Sequence, residues 1–135
     1  MGRKTPEHRR HDTFPSYEVG DSGERPWGRW QVLDVQPTAV VKKLILVPHG
    51  RISLQRHQHR MERWIVINGI ATVQREDDIL HLKVGDSVSI PCGCKHRLSN
   101  NKEYPLIVIE IQLGSLLSEE DIERLTDDYG RVDND

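Results

Sequence analysis

Gln55, His57, His59 and Glu62 put four nitrogen and oxygen donors into eight residues of chain. An amide, an imidazole and a carboxylate brought to one point suit a divalent ion of borderline hardness, since imidazole nitrogen and carboxylate oxygen are common protein ligands for such ions. In a strand, residues i, i+2 and i+4 share a face, so Gln55, His57 and His59 are expected on one wall. Glu62 opens a second run, Trp64-Ile65-Val66-Ile67, that favours a strand, and Asn68-Gly69 supplies the residues of a tight hairpin turn. The two strands are expected to be antiparallel neighbours that deliver the donors from different directions. A lone His-x-His pair in a polar hairpin is equally compatible with a solvated surface, so a further element must supply the missing donor.

Gly85, Pro91, Gly93, His96 and Asn100 follow the spacing G-x5-P-x-G-x2-H-x3-N. This describes a strand, a turn stiffened by Pro91 and tightened by Gly93, and a second strand whose first residues present His96. The string resembles the second motif of the cupins. Against their first motif, Gln55-x-His57-x4-Glu62-x6-Gly69 keeps the spacing but has Gln for the first His, with His49 where Gly is usual and Gly50 one residue late. Two ligand sets remain open. Spacing selects Gln55, His57, Glu62 and His96; donor strength favours His57, His59, Glu62 and His96, because an amide oxygen is a weaker ligand than imidazole. One divalent ion is expected, zinc first on affinity and ligand type, with manganese, nickel or ferrous iron also compatible with mixed ligands.

The elements that must position these donors read as short strands. A chain of 135 residues suits one domain, and a formal charge of −2 offers nothing for nucleic acid or an anionic membrane beyond Arg3-Lys4 and His8-Arg9-Arg10-His11. No apolar run approaches the roughly 20 residues of a bilayer span, and no secretory leader is visible, so a cytoplasmic protein is expected. Cys92 and Cys94 are too close for an ordinary disulfide and lack a second pair for zinc, so both read as reduced thiols. Residues 1–24 carry few large apolar side chains and read as a flexible arm before a single domain over 25–135. Within it, Arg25-Pro26-Trp27-Gly28-Arg29-Trp30 suggests an edge strand, followed by strands over 39–47, 70–75, 79–82 and 105–112, with a turn at Glu76-Asp77-Asp78. Regularly spaced short strands indicate an all-β sandwich or barrel, and the cupin motifs narrow this to a double-stranded β-helix, or jelly roll. Ser118 before Glu119-Glu120-Asp121, with Gly130 beyond, predicts a C-terminal helix. The Trp27–Trp30 edge also suggests a homodimer.

The chain further resembles the cupin domain of type II mannose-6-phosphate isomerases, often the C-terminal part of bifunctional mannose-1-phosphate guanylyltransferases. The likeness rests on Arg25-Pro26-Trp27-Gly28, on Gln55-x-His57-x-His59-Arg60-x-Glu62-x-Trp64, on Ile90-Pro91 with His96-Arg97-Leu98-x-Asn100, on Ile109-Glu110-Ile111-Gln112 and on Glu120-Asp121-Ile122. His49, Trp30 and Leu116 depart from it. The resemblance implies aldose–ketose isomerisation of mannose 6-phosphate and fructose 6-phosphate through an enediol, with no nucleotidyl transfer expected. A divalent ion suits that chemistry by stabilising charge on the sugar oxygens. His59 and Glu110 are the candidate proton carriers, Glu110 because an acid in a barrel mouth has its pKa raised by burial. Arg60 and Arg97, each beside a proposed ligand, are candidates for the phosphate. A metal-containing cupin that binds a sugar phosphate, or a nucleotide-sugar enzyme as partner, without turnover is the alternative.

Overall fold

The computed structural model describes residues 15–130, in eleven strands packed as two antiparallel sheets. The basic cluster near the start lies outside the described residues. One sheet has six strands in the order β1 (Ser22–Arg25), β2 (Gly28–Gln36), β3 (Ala39–Leu46), β10 (Leu106–Gly114), β5 (Arg60–Asn68), β8 (Ser87–Ile90). The other has five, in the order β11 (Glu123–Thr126), β4 (Leu54–Arg56), β9 (His96–Ser99), β6 (Ala71–Arg75), β7 (Asp78–Leu82). This is the double-stranded β-helix that the motifs imply.

Alternation along each strand decides what faces the interior. Val40, Lys42, Leu44 and Leu46 of β3 are buried, as are Arg60, Glu62, Trp64 and Val66 of β5 and Leu106, Val108, Glu110 and Gln112 of β10. Register then sorts them by polarity. Gln112 stands opposite Glu62 and Val40, Glu110 opposite Trp64 and Lys42, and Leu106 opposite Leu46. One end of the interior is therefore apolar and closed by Leu46, Val66, Leu98 and Val108, whereas the other gathers the polar residues. The apolar end is the packed core; the polar end is the site it supports.

Four sequence expectations are corrected. Asn68-Gly69 does not close a hairpin: β5 and β6 belong to different sheets, and Gly69 (φ 86°) turns the chain from one to the other beneath Pro105. The strands that flank Gln55 and Glu62 consequently face each other across the interior rather than pairing. No helix forms among the described residues after Ser118. The Ser118 hydroxyl does accept the N–H of Glu120 (3.1 Å), but Asp121 is taken by the loop after β4 and Glu123–Thr126 pairs as β11 with β4, so the capping signal ends in a turn and a strand. The Trp30 strand is not an edge, because β1 lies outside it. Of the arm expected over 1–24, residues 1–14 lie outside the described residues; within the rest Tyr17 and Asp21 are buried, and β1 begins at Ser22.

Glycine positions account for two further features. His49, standing where a Gly was expected, has φ 63°, the left-handed conformation that Gly adopts without strain. Gly50 has no room for a side chain, since an added Cβ would lie 2.6 Å from the Trp27 carbonyl oxygen. Asn100 explains the end of the second motif: its buried amide donates to the carbonyls of Leu46, Val47 and Tyr104 (3.2, 3.1 and 2.8 Å), tying β9 to the loop after β3.

Candidate metal centre

Three of the four donors chosen by spacing meet at one point. The ligating atoms of His57, Glu62 and His96 lie within 4.8 Å of one another, and all three side chains are buried. Glu62 comes from the six-stranded sheet; His96 comes from β9, and His57 follows β4, in the other. The Glu62 carboxylate presents one oxygen 3.1 Å from His57 Nε2 and the other 3.7 Å from His96 Nε2.

Both imidazoles are held ready to ligate. His57 Nδ1 lies 2.5 Å from the Asp121 carbonyl oxygen and His96 Nδ1 2.9 Å from that of Cys94. A carbonyl only accepts, so each Nδ1 carries a proton and each Nε2 is the ring atom turned toward Glu62. His96 Nε2 is buried with no hydrogen-bond partner, an orphan that a cation would satisfy. Burial, the Arg60 guanidinium and His96 push the His57 pKa down to about 3, leaving it neutral. Burial opposes ionisation of Glu62, but Arg60 and His96 hold its carboxyl below the usual range. Two imidazoles, which ligate in their neutral form, and one carboxylate suit a divalent ion in donor type. Gln55 is the direct cross-strand neighbour of His96 and is buried beside it, so its amide borders the same space.

The remaining candidates divide. Arg60 is buried against the cluster, with Nε donating to Glu62 (2.8 Å), Nη1 to the Ser118 carbonyl (2.9 Å) and Nη2 3.3 Å from His57 Nε2. Glu110 faces inward, accepting from Trp64 Nε1 (3.1 Å) and Gln112 Nε2 (2.7 Å). Burial and the neighbouring Glu62 raise its pKa above the ordinary carboxylate value. His59 is not on this wall. β4 ends at Arg56, the Asp121 carboxylate takes the N–H groups of Gln58 and His59 (both 2.9 Å), and the chain bends so that His59 is exposed. The set containing His59 is therefore not assembled. Arg97 points to the opposite side of β9 from His96, with Nε donating to the Ile52 carbonyl (3.0 Å) and Nη2 to Thr126 (3.2 Å), and wires the sheet rather than the cavity.

A cleft opens beside the cluster, bounded by Gln55, Arg60 and Glu110 together with residues that sequence reasoning missed, among them Tyr17, Arg25 and Lys42. Arg60, bonded to Glu62 and His57, forms part of its wall, so the three donors lie one side chain behind it. Lys42 had a signal in its parity with Val40, Leu44 and Leu46; Tyr17, in a polar stretch, had none.

The mannose-6-phosphate isomerase C-terminal family matches residues 15–127. The xanthan biosynthesis protein XanB of Xanthomonas campestris pv. campestris (strain B100) is 46% identical over 108 residues, covering 80% of this chain and 23% of that protein. The mannose-1-phosphate guanylyltransferase of Escherichia coli (strain K12) is 37% identical over 130 residues, 96% of this chain and 27% of that one. The chain thus spans about a quarter of the length of these relatives. Among solved structures, a protein with a double-stranded β-helix domain from Klebsiella pneumoniae subsp. pneumoniae superposes with TM-score 0.61 at 23% identity, over 70% of this chain and 80% of that one.

Proposed function

Because the chain belongs to the mannose-6-phosphate isomerase C-terminal family, we propose that it is a metal-dependent isomerase interconverting mannose 6-phosphate and fructose 6-phosphate in the cytoplasm, through an enediol, in support of GDP-mannose and polysaccharide synthesis. The observation that carries this reading is the convergence of His57, Glu62 and His96, Nε2 atoms toward carboxylate, next to a cleft lined by cations and by Glu110, whose pKa burial raises. The biosynthetic names of the relatives support it.

His57, Glu62 and His96 would hold the ion, with Gln55 as the fourth donor; zinc is the first choice. When bound, a divalent ion supplies Lewis-acid stabilisation of negative charge on the sugar oxygens. Glu110 carries the proton between C1 and C2. An acid whose pKa is raised from the usual range gives and takes a proton near neutral pH more readily than an ordinary carboxylate. Trp64 and Gln112 fix its two oxygens, so the group is oriented before substrate arrives. Arg60 neutralises Glu62 and forms the wall between cluster and cleft.

A coupled assay on the full chain, with metal content measured by elemental analysis, tests the reading; no turnover with any of zinc, manganese, nickel or ferrous iron would remove it. Glu110→Gln replaces the acid by an amide of the same shape that cannot carry the proton, so folding and bound metal are expected to be kept while turnover drops about 10²–10⁴-fold. Full activity of that variant would move the proton to another group.

Arg60 standing between the donors and the cleft favours one second reading, a metal-containing module that binds a sugar phosphate without turning it over. Tight binding of mannose 6-phosphate with no exchange of the C2 proton in deuterated water would select it. A homodimer is also part of the proposal, supported by the half-buried Ile107, Ile109 and Ile111 on the outer face of β10; a monomer in sedimentation at working concentration would remove it.

A further inference from the structure

The cleft has a second chemically distinct end. Lys42 is buried on the inner face of β3, its Nζ 4.1 Å from the centroid of the Tyr17 ring and 4.5 Å from that of Trp30. No ion pair within 4.0 Å of Lys42 occurs among the described residues; its ammonium lies against two aromatic faces, and the nearest acid across the sheet is its strand neighbour Glu110, which already accepts from Trp64 and Gln112. The hydroxyl of that Tyr17 ring is buried without a hydrogen-bond partner. Arg25 stacks on the same Trp30 ring, its guanidinium carbon 5.6 Å from the centroid, and is bonded to Glu119 (3.0 Å). Arg25, Lys42, Arg60 and Arg124 line the cleft against two acids, Glu110 and Glu119. Buried donors without an acceptor, under an excess of positive charge, call for an anion with several oxygens.

We propose that Lys42 and the Tyr17 hydroxyl, joined by Arg25 as it exchanges Glu119 for ligand, seat a phosphoryl group at the end of the cleft away from His57, Glu62 and His96. The sheet order supports the division of labour, and here the inference rests on the isomerase reading above. Lys42 lies on β3, Glu110 on β10 and Glu62 on β5, three adjacent strands. Two strand spacings, about 10 Å, separate the phosphoryl seat from the donor cluster, a span comparable to a six-carbon chain, with Glu110 midway. A hexose 6-phosphate anchored by its phosphate at Lys42 thereby brings C1 and C2 past Glu110 to the cluster. Arg60 and Arg97, the phosphate candidates of the sequence, are not needed in that role.

The test is calorimetric titration of the full, metal-loaded chain with inorganic phosphate and with mannose 6-phosphate, beside steady-state kinetics. Lys42→Met keeps an apolar stem between the two rings and removes only the charge. It is expected to weaken phosphate binding about tenfold or more and to raise KM by a similar factor. Tyr17→Phe keeps the ring and is expected to lose a few-fold in both; should Lys42→Met fail to fold, Tyr17→Phe and Arg25→Gln decide. Unchanged phosphate affinity in the folded variants, or no phosphate binding by the wild type, overturns the seat. Phosphate binding that depends on Lys42 in a protein without turnover upholds the seat and removes the isomerase reading. Turnover with KM indifferent to Lys42 does the reverse.

Discussion

His57 and His96 are distinguished from the other described histidines by one detail, a backbone carbonyl that holds each Nδ1 proton and leaves Nε2 turned toward the Glu62 carboxylate. His57→Ala and His96→Ala are each expected to abolish stoichiometric metal on purification, while His59→Ala, at an exposed position, leaves metal and turnover near wild type; metal loss in His59→Ala would return a ligand role to it. The same burial makes the metal-free protein sensitive to acid. The folded-state pKa of His57 is lowered from 6.5 to about 3, so between those values the unfolded chain binds a proton that the folded chain refuses. Stability from this group is full above about 6.5 and falls as pH drops through the window, by up to about 1.4 kcal/mol per pH unit. Urea titrations at several pH values should show that slope, and His57→Leu should flatten it. The sequence carried His57, Glu62 and His96 in its spacing. It could not separate His59 from them, because the strand alternation it relied on stops at Arg56, where Asp121 from a distant segment bends the chain.

At the level of elements, the informative one is β11. Its residues read as a helix by capping chemistry, and local preference of that kind is worth only about 1 kcal/mol at an N-cap. Pairing with β4 outweighs it: Arg124 aligns with Gln55, Glu123 with Arg56, and the Arg56 and Glu123 side chains bond at 2.8 and 3.0 Å. This strand and the turn before it hold the loop that carries His57. Asp121→Ala removes the acceptor of two loop N–H groups and is expected to lower metal affinity about 10–100-fold while β-sheet circular dichroism is retained; unchanged affinity would mean that the loop holds its shape unaided. Strand β10 shows a second limit of legibility. Both of its faces contain apolar residues, Leu106 and Val108 on one, Ile107, Ile109 and Ile111 on the other, so hydrophobicity alone does not say which is interior. The inner face is the one that contains Glu110 and Gln112, which pattern rules assign to solvent.

For the whole molecule, the donors come from both sheets, so an ion at the centre joins layers that otherwise meet through side-chain packing. Metal is expected to stabilise the fold by mass action, about 2.7 kcal/mol at a free concentration one hundred times Kd, and a thermal scan with and without chelator reads this directly. The two-layer architecture and its polar end were accessible from motif spacing and turn residues. The pairing of Glu62 across the interior, and the docking of Tyr17 from the arm, were not, since both depend on contacts between segments distant in sequence. His57 leans on the Asp121 carbonyl, and Asp121 belongs to the closing segment of the chain. That segment works as a buckle fastened from outside. A protease that snips it must first wait for the buckle to spring open, and an ion gripping His57 keeps it shut, so the speed of clipping becomes a gauge of occupancy that needs no substrate.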